Sequence, residues 1–227
     1  VRDKTNDVVA ALWSDDSDGR TFREATVALA KARTYEVIDS GVVPYNTSDF
    51  SPYITKWKAS SAEIFTGNFI PPDFATLWRQ CAELGYIPKV ATIGRSILFP
   101  SAVEALGGDL AVGLTTEVWW SPYHPYKSSL TGETAEELCE AYEKENSRQW
   151  TQPMGYSYAA LETAIDALQR AKSIDKKAIR DAIASTNLDT IVGNVNFKKP
   201  LSDEEKKRYK NYPELVKYKE QYSITPV

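Results

Sequence analysis

Few residues in this chain have the type and spacing to make or break bonds. The single histidine, His124, sits in Pro122-Tyr123-His124-Pro125-Tyr126, and any Ser–His–acid triad would have to use it. No G-x-S-x-G elbow accompanies it, so it reads as a turn or hinge residue. Asp15, Asp16 and Asp18 precede Gly19. Their spacing is not that of an EF-hand loop, and they read instead as a polar loop that caps the following helix. No His, Cys or carboxylate cluster suggests a metal site. Neither G-x-G-x-x-G nor G-x-x-x-x-G-K-[ST] occurs, so no nucleotide cofactor is expected. Cys81 and Cys139 each lie in a helical pattern without CxxC spacing and are expected to be buried thiols. These residues together point to binding and not to enzymatic chemistry.

Aromatic residues are more informative. Trp13, Phe69, Trp119 and Trp120 fall at or just past expected strand ends, and Tyr123, Tyr126 and Tyr156 fall in or after a Pro-rich connection. Aromatics at such positions line concave apolar sites, or else fill the core. Successive strand residues face opposite ways, so Trp119 and Trp120 share one cleft only if the strand breaks there.

The elements that would position these residues alternate. Strands are expected at Val8–Trp13, Tyr35–Asp39, Glu63–Gly67, Lys89–Gly94 and Val112–Trp120. Between them, Thr21-Phe22-Arg23-Glu24 reads as a capping box opening a helix to about Ala32. Phe50, Tyr53, Ile54 and Trp57 recur at helical spacing. Asp73 can cap a helix carrying Phe74, Leu77, Trp78, Cys81 and Leu84, and Ser101-Ala102-Val103-Glu104 reads as a further capping box. This order predicts an α/β fold: a parallel, Rossmann-like sheet with flanking helices, whose ligands lie beyond the carboxyl ends of the strands. After Trp120 three helical patterns follow without strands. Thr134 caps the first, whose inward face carries Leu138, Ala141 and Tyr142. The second runs from about Gln152 to Ala171 with Ala160, Leu161, Ala164, Ile165 and Leu168 inward. Asp175 caps the third, with Ile179, Ala182 and Ile183 inward. Ile191–Phe197 reads as a strand or hairpin.

Composition narrows the partners. With 27 basic and 31 acidic residues the net charge is −4, and a mildly acidic body disfavours nucleic acid. The basic run Lys206-Lys207-Arg208 follows Asp203-Glu204-Glu205 and reads as a solvated face with local ion pairs. No apolar run approaches the roughly 20 residues of a spanning helix. Val1-Arg2-Asp3-Lys4-Thr5 lacks the apolar core of a signal peptide, which leaves export open.

Several segments in order resemble the branched-chain amino acid (leucine-binding-like) family of ABC-transporter solute-binding proteins, the type I periplasmic binding proteins. They are Ala11-Leu12-Trp13-Ser14-Asp15-Asp16, Asp49-Phe50-Ser51-Pro52-Tyr53-Ile54, Asn68-Phe69-Ile70-Pro71-Pro72-Asp73-Phe74 and Ala91-Thr92-Ile93-Gly94. Glu117-Val118-Trp119-Trp120-Ser121-Pro122, Gln152-Pro153-Met154-Gly155-Tyr156 and Ile191-Val192-Gly193-Asn194-Val195-Asn196-Phe197 follow. Asn211-Tyr212-Pro213-Glu214-Leu215-Val216 matches loosely. The resemblance implies two α/β lobes joined by crossing strands and closing on a ligand by hinge motion. Residues 1–121 would form the second lobe, 122–197 a hinge crossing with a helical segment of the first lobe, and 198–227 a polar tail returning towards the second lobe. It also implies a longer stretch of first lobe before the Val8 strand than this chain carries, supplied by another segment or replaced by a homo-oligomeric contact.

Ligand contacts implied by the resemblance are Trp13, Ser14 and Asp15; Asn68 and Phe69; Arg95 and Ser96; and Tyr156 from the first-lobe side. Trp119 joins them as a strand-end aromatic. Where the family's amino-acid binders place an acidic residue, this sequence has Arg95, which points to a carboxylate or other anion. The expected role is capture of a small polar or aromatic carboxylate or amino-acid-like solute for a membrane permease of an ABC importer, outside the cytoplasm. The alternative is a truncated or degenerate lobe acting as an oligomerising interaction protein without transport.

Overall fold

The computed structural model describes residues 1–198 and Asp203. The expected tail, its basic run and the segment from Asn211 lie outside the described residues. The chain divides after Val118 into two compact units, where the sequence places the division at Ser121.

Unit 1 is a parallel sheet with helices. Its elements are β1 (Val8–Ser14), α1 (Ser17–Ala32), β2 (Glu36–Val43), α2 (Ser51–Ala59), β3 (Ile64–Asn68), α3 (Pro71–Glu83), β4 (Val90–Gly94), α4 (Pro100–Glu104) and β5 (Leu114–Thr115). The strand order is β2-β1-β3-β4-β5 and every pairing is parallel. Such a sheet needs cover on both faces. This is why β1 reads as an unbroken apolar run and why Val9 to Ser14 are all buried. Phe50 at the N-cap of α2, Ile54 and Trp57 within it, and Phe74, Leu77 and Cys81 from α3 pack with Leu12, Phe65 and Ile93 in one core. Trp57 and Phe65 approach at 5.1 Å between ring centroids.

Several expected boundaries shift, each for a local reason. Helix α1 begins at Ser17, not Thr21. Asp16 is its N-cap and accepts from Gly19 N at 2.7 Å, while the Thr21 hydroxyl donates back to Ser17 O inside the helix. Asp73 is not a cap either. Ile70 holds that place, Pro71 and Pro72 open α3, and the buried Asp73 carboxylate accepts from Asn46 N at 3.1 Å. Pro100, not the Ser101 capping box, opens α4, with Phe99 as N-cap. The long fifth strand shrinks to Leu114–Thr115. At its end and just beyond, the Thr115 and Thr116 hydroxyls donate to Ala91 O and Ile93 O, so side chains take carbonyls that a longer ladder would use.

Unit 2 carries α5 (Ala135–Asn146), α6 (Pro153–Ala171), α7 (Lys176–Ala184) and an antiparallel hairpin of β6 (Asn187–Thr190) and β7 (Gly193–Asn196). Thr134 caps α5 as expected, in a reciprocal capping box with Glu137, and Asp175 caps α7 through Lys177 N and Ala178 N. Its core joins Trp120, Ala135, Cys139, Ala159 and Ile191. Helix α6 presents a different face from the expected one. Gly155, Ala159, Glu162 and Ala167 are buried, whereas Leu161 is 62% exposed, Leu168 46% and Ile165 37%. Glu162 decides this. Its carboxylate accepts from Ser129 N, Ser129 Oγ and Ile191 N at 2.5–2.9 Å, so the residue that periodicity turns to solvent is the buried anchor. Both cysteines are free and buried.

Candidate functional site

In a parallel sheet of this kind the carboxyl ends of the strands form the natural site. β1, β3 and β4 end together: Trp13 pairs with Asn68, and Asn68 with Gly94. The loops after β1 and β4 are joined by charge. Arg95 donates to Asp16 at 2.8 Å and lies 3.5 Å from Asp18. The Arg95 backbone takes a left-handed φ of 65°, and its N–H donates to Glu117 Oε1 at 2.9 Å. Tyr45 donates to Asp16 at 2.5 Å. Burial works against the Asp16 carboxylate, but hydrogen bonds from Tyr45, Gly19 N and Arg95 outweigh it and lower its pKa to about 2.

The expected site residues have distinct placements. Ser14 and Asn68 are buried at strand ends, and the Ser14 hydroxyl and both amide atoms of Asn68 have no hydrogen-bond partner among the described residues. Trp13 and Phe69 are buried too, Phe69 beside Phe74 at 6.4 Å. Asp15 is exposed and pairs with Arg20. The Ser96 hydroxyl donates to Phe69 O at 2.9 Å, tying the β4 loop to the end of β3. The guanidinium that the sequence offers to a ligand carboxylate is engaged by Asp16 and Asp18. Trp119 and Tyr156 belong to unit 2. There the Tyr156 hydroxyl donates to Trp119 O at 3.3 Å, and Trp119 N donates to Gln152 Oε1 at 2.6 Å. Trp120, the other member of the pair, is buried with its indole N–H on Ile191 O at 2.9 Å. Sequence reasoning missed Asp16, Tyr45 and Glu117. The acidic run before Gly19 was the available signal for the first, while Glu117 and Tyr45 come from separate loops that only the fold brings in.

No group of three or more His, Cys, Asp or Glu able to hold a metal occurs among the described residues. No described helix is long and apolar enough to cross a membrane.

Residues 1–205 match the family model described as periplasmic binding protein. The Leu/Ile/Val-binding protein homolog 7 of Brucella abortus is 25% identical over 193 residues, covering 83% of this chain and 47% of that protein. Its counterpart in Brucella suis is 25% identical over 186 residues, covering 80% and 45%. The chain thus spans about half the length of the curated relatives it matches. Among solved structures, a leucine binding protein, LivK, from Thermotoga maritima superposes with a TM-score of 0.71 at 19% identity, over 84% of this chain and 53% of that one. The branched-chain amino acid transporter substrate binding protein LivJ from Streptococcus pneumoniae, in complex with isoleucine, gives 0.68 at 14%, over 84% and 52%. At these identities the likeness concerns the fold.

Proposed function

The chain belongs to the periplasmic binding protein family, and from that premise we propose that it serves as the solute-binding component of an ABC importer, outside the cytoplasm. It captures a small polar or aromatic, amino-acid-like solute between two lobes by hinge closure and hands it to a membrane permease. It binds the solute without transforming it. The observation that carries this reading is the end of the parallel sheet in unit 1, where Ser14 and Asn68, the latter paired with Gly94, keep buried polar groups without a hydrogen-bond partner among the described residues. Buried polar atoms without partners mark places where a ligand completes the hydrogen bonding. Trp119 and Tyr156 are the contacts proposed from the other lobe. Nothing in the comparisons favours the oligomerising alternative.

Native mass spectrometry tests the reading. Protein mixed with L-leucine, L-isoleucine and a panel of polar and aromatic amino acids should show a small-molecule mass increment that is lost on mild activation. A bare chain mass across the whole panel, or a ligand-free oligomer, would overturn it.

A further inference from the structure

Asn68 closes β3 with its side chain 1% exposed and with neither Oδ1 nor Nδ2 hydrogen-bonded among the described residues. A buried amide left unpaired is costly, so such a side chain is kept for a partner. Gly94 lies close beside it. A Cβ on Gly94 would meet Asn68 Nδ2 at 3.0 Å and Glu117 Oε2 at 3.1 Å, so a methyl at this position would press on both groups. The surrounding charged groups are engaged in part. Arg95 is held by Asp16 and Asp18, and Glu117 accepts from Arg95 N. The Asn68 carboxamide needs one acceptor and one donor in its plane, and the Ser14 hydroxyl at the end of the neighbouring strand and Arg95 Nε are likewise without a hydrogen-bond partner among the described residues. A second amide edge supplies that acceptor and that donor.

We propose that Asn68 recognises a neutral amide-type group, a carboxamide or urea-like N–C=O edge, on the solute that enters unit 1. The inference rests on the solute-binding reading and names the chemistry of one end of the solute. The surroundings of Asn68 follow from the sheet order. β3 lies between β1 and β4, while Asp16 follows β1 and Arg95 follows β4. Their ion pair therefore joins the loops that flank the end of β3.

The test is nuclear magnetic resonance titration of the full chain with propionamide, propionate and propylammonium in parallel. Propionamide should shift the Asn68 side-chain amide signals and the Gly94 backbone signal saturably, and the other two should not. Asn68→Leu, and Asn68→Asp as the near-isosteric variant that loses the donor, should weaken the propionamide response by about tenfold or more. Circular dichroism establishes that each variant is folded. An equal response to all three probes, or a propionamide response that survives in a folded Asn68 variant, would sink the inference. Titrations with L-leucine and L-isoleucine separate it from the premise. If these bind wild type and both variants alike while propionamide does not bind, solute binding stands and the amide assignment falls. If nothing binds, both fall.

Discussion

Asp16 does two jobs with one carboxylate. Oδ1 caps α1 through Gly19 N, and Oδ2 receives Arg95 and Tyr45. Asparagine can still cap a helix but cannot form the ion pair, whereas alanine does neither. Asp16→Ala should therefore lower stability by about 1–2 kcal/mol, and Asp16→Asn by about 1 kcal/mol or less, the range of partly exposed ion pairs. Urea denaturation at pH 7 measures both. The pH dependence has a definite sign. The folded pKa of about 2 lies below the unfolded value of about 3.9. The stabilisation is thus complete above the unfolded pKa and disappears as pH falls through the folded one. The gap between wild type and Asp16→Asn should persist at pH 5 and shrink towards pH 2. A gap that stayed constant would mean that the carboxylate is not held as described. The capping role was open to sequence reading because Asp before a helical pattern is a local signal. The pairing with Arg95 was not, because its partners lie 79 positions apart in the chain.

At the scale of elements, what the sequence disclosed followed the range of the forces involved. Strands β1 to β4 and all the longer helices were legible from apolar runs, periodicity and caps, including the reciprocal Thr134–Glu137 box. The fifth strand was overextended because the Thr115 and Thr116 hydroxyls compete for carbonyls, and composition does not reveal that. On α6 the amphipathic pattern pointed the wrong way. The helix buries small residues and one glutamate, since Trp120 lies against Gly155 and three donors converge on Glu162. Two substitutions examine this packing. Glu162→Ala leaves those buried donors unanswered and should cost about 2–4 kcal/mol, with Glu162→Gln between it and wild type. At Gly155 an added methyl would stand 2.3 Å from the Trp120 ring. Gly155→Ala should destabilise by about 1–3 kcal/mol through overpacking, although alanine favours a helix by up to about 1 kcal/mol. Urea unfolding followed by circular dichroism reports both. A stabilised Gly155→Ala would show that the ring has room to move.

At the scale of the molecule, the cores that the described residues form in the two units differ. Unit 1 packs Trp57, Phe65, Phe69, Phe74 and Leu77 around its sheet, while the core of unit 2 has Trp120 and Ile191 among Ala135, Cys139 and Ala159. Stability from apolar burial scales with the area removed from water, so unit 2 should open first. Each unit carries its own reporter. Burial pushes the Cys81 thiol to about 12, and burial with the Glu143 charge does the same to Cys139. The thiolate is the reactive form, so both should resist a disulfide reagent in the native protein and react once their surroundings open. In a urea series with peptide mass analysis, Cys139 should be modified at lower urea than Cys81, giving two labelling transitions in that order. A single shared transition would mean that the chain unfolds as one cooperative body, and the reverse order would mean that burial alone does not set the stability of these units.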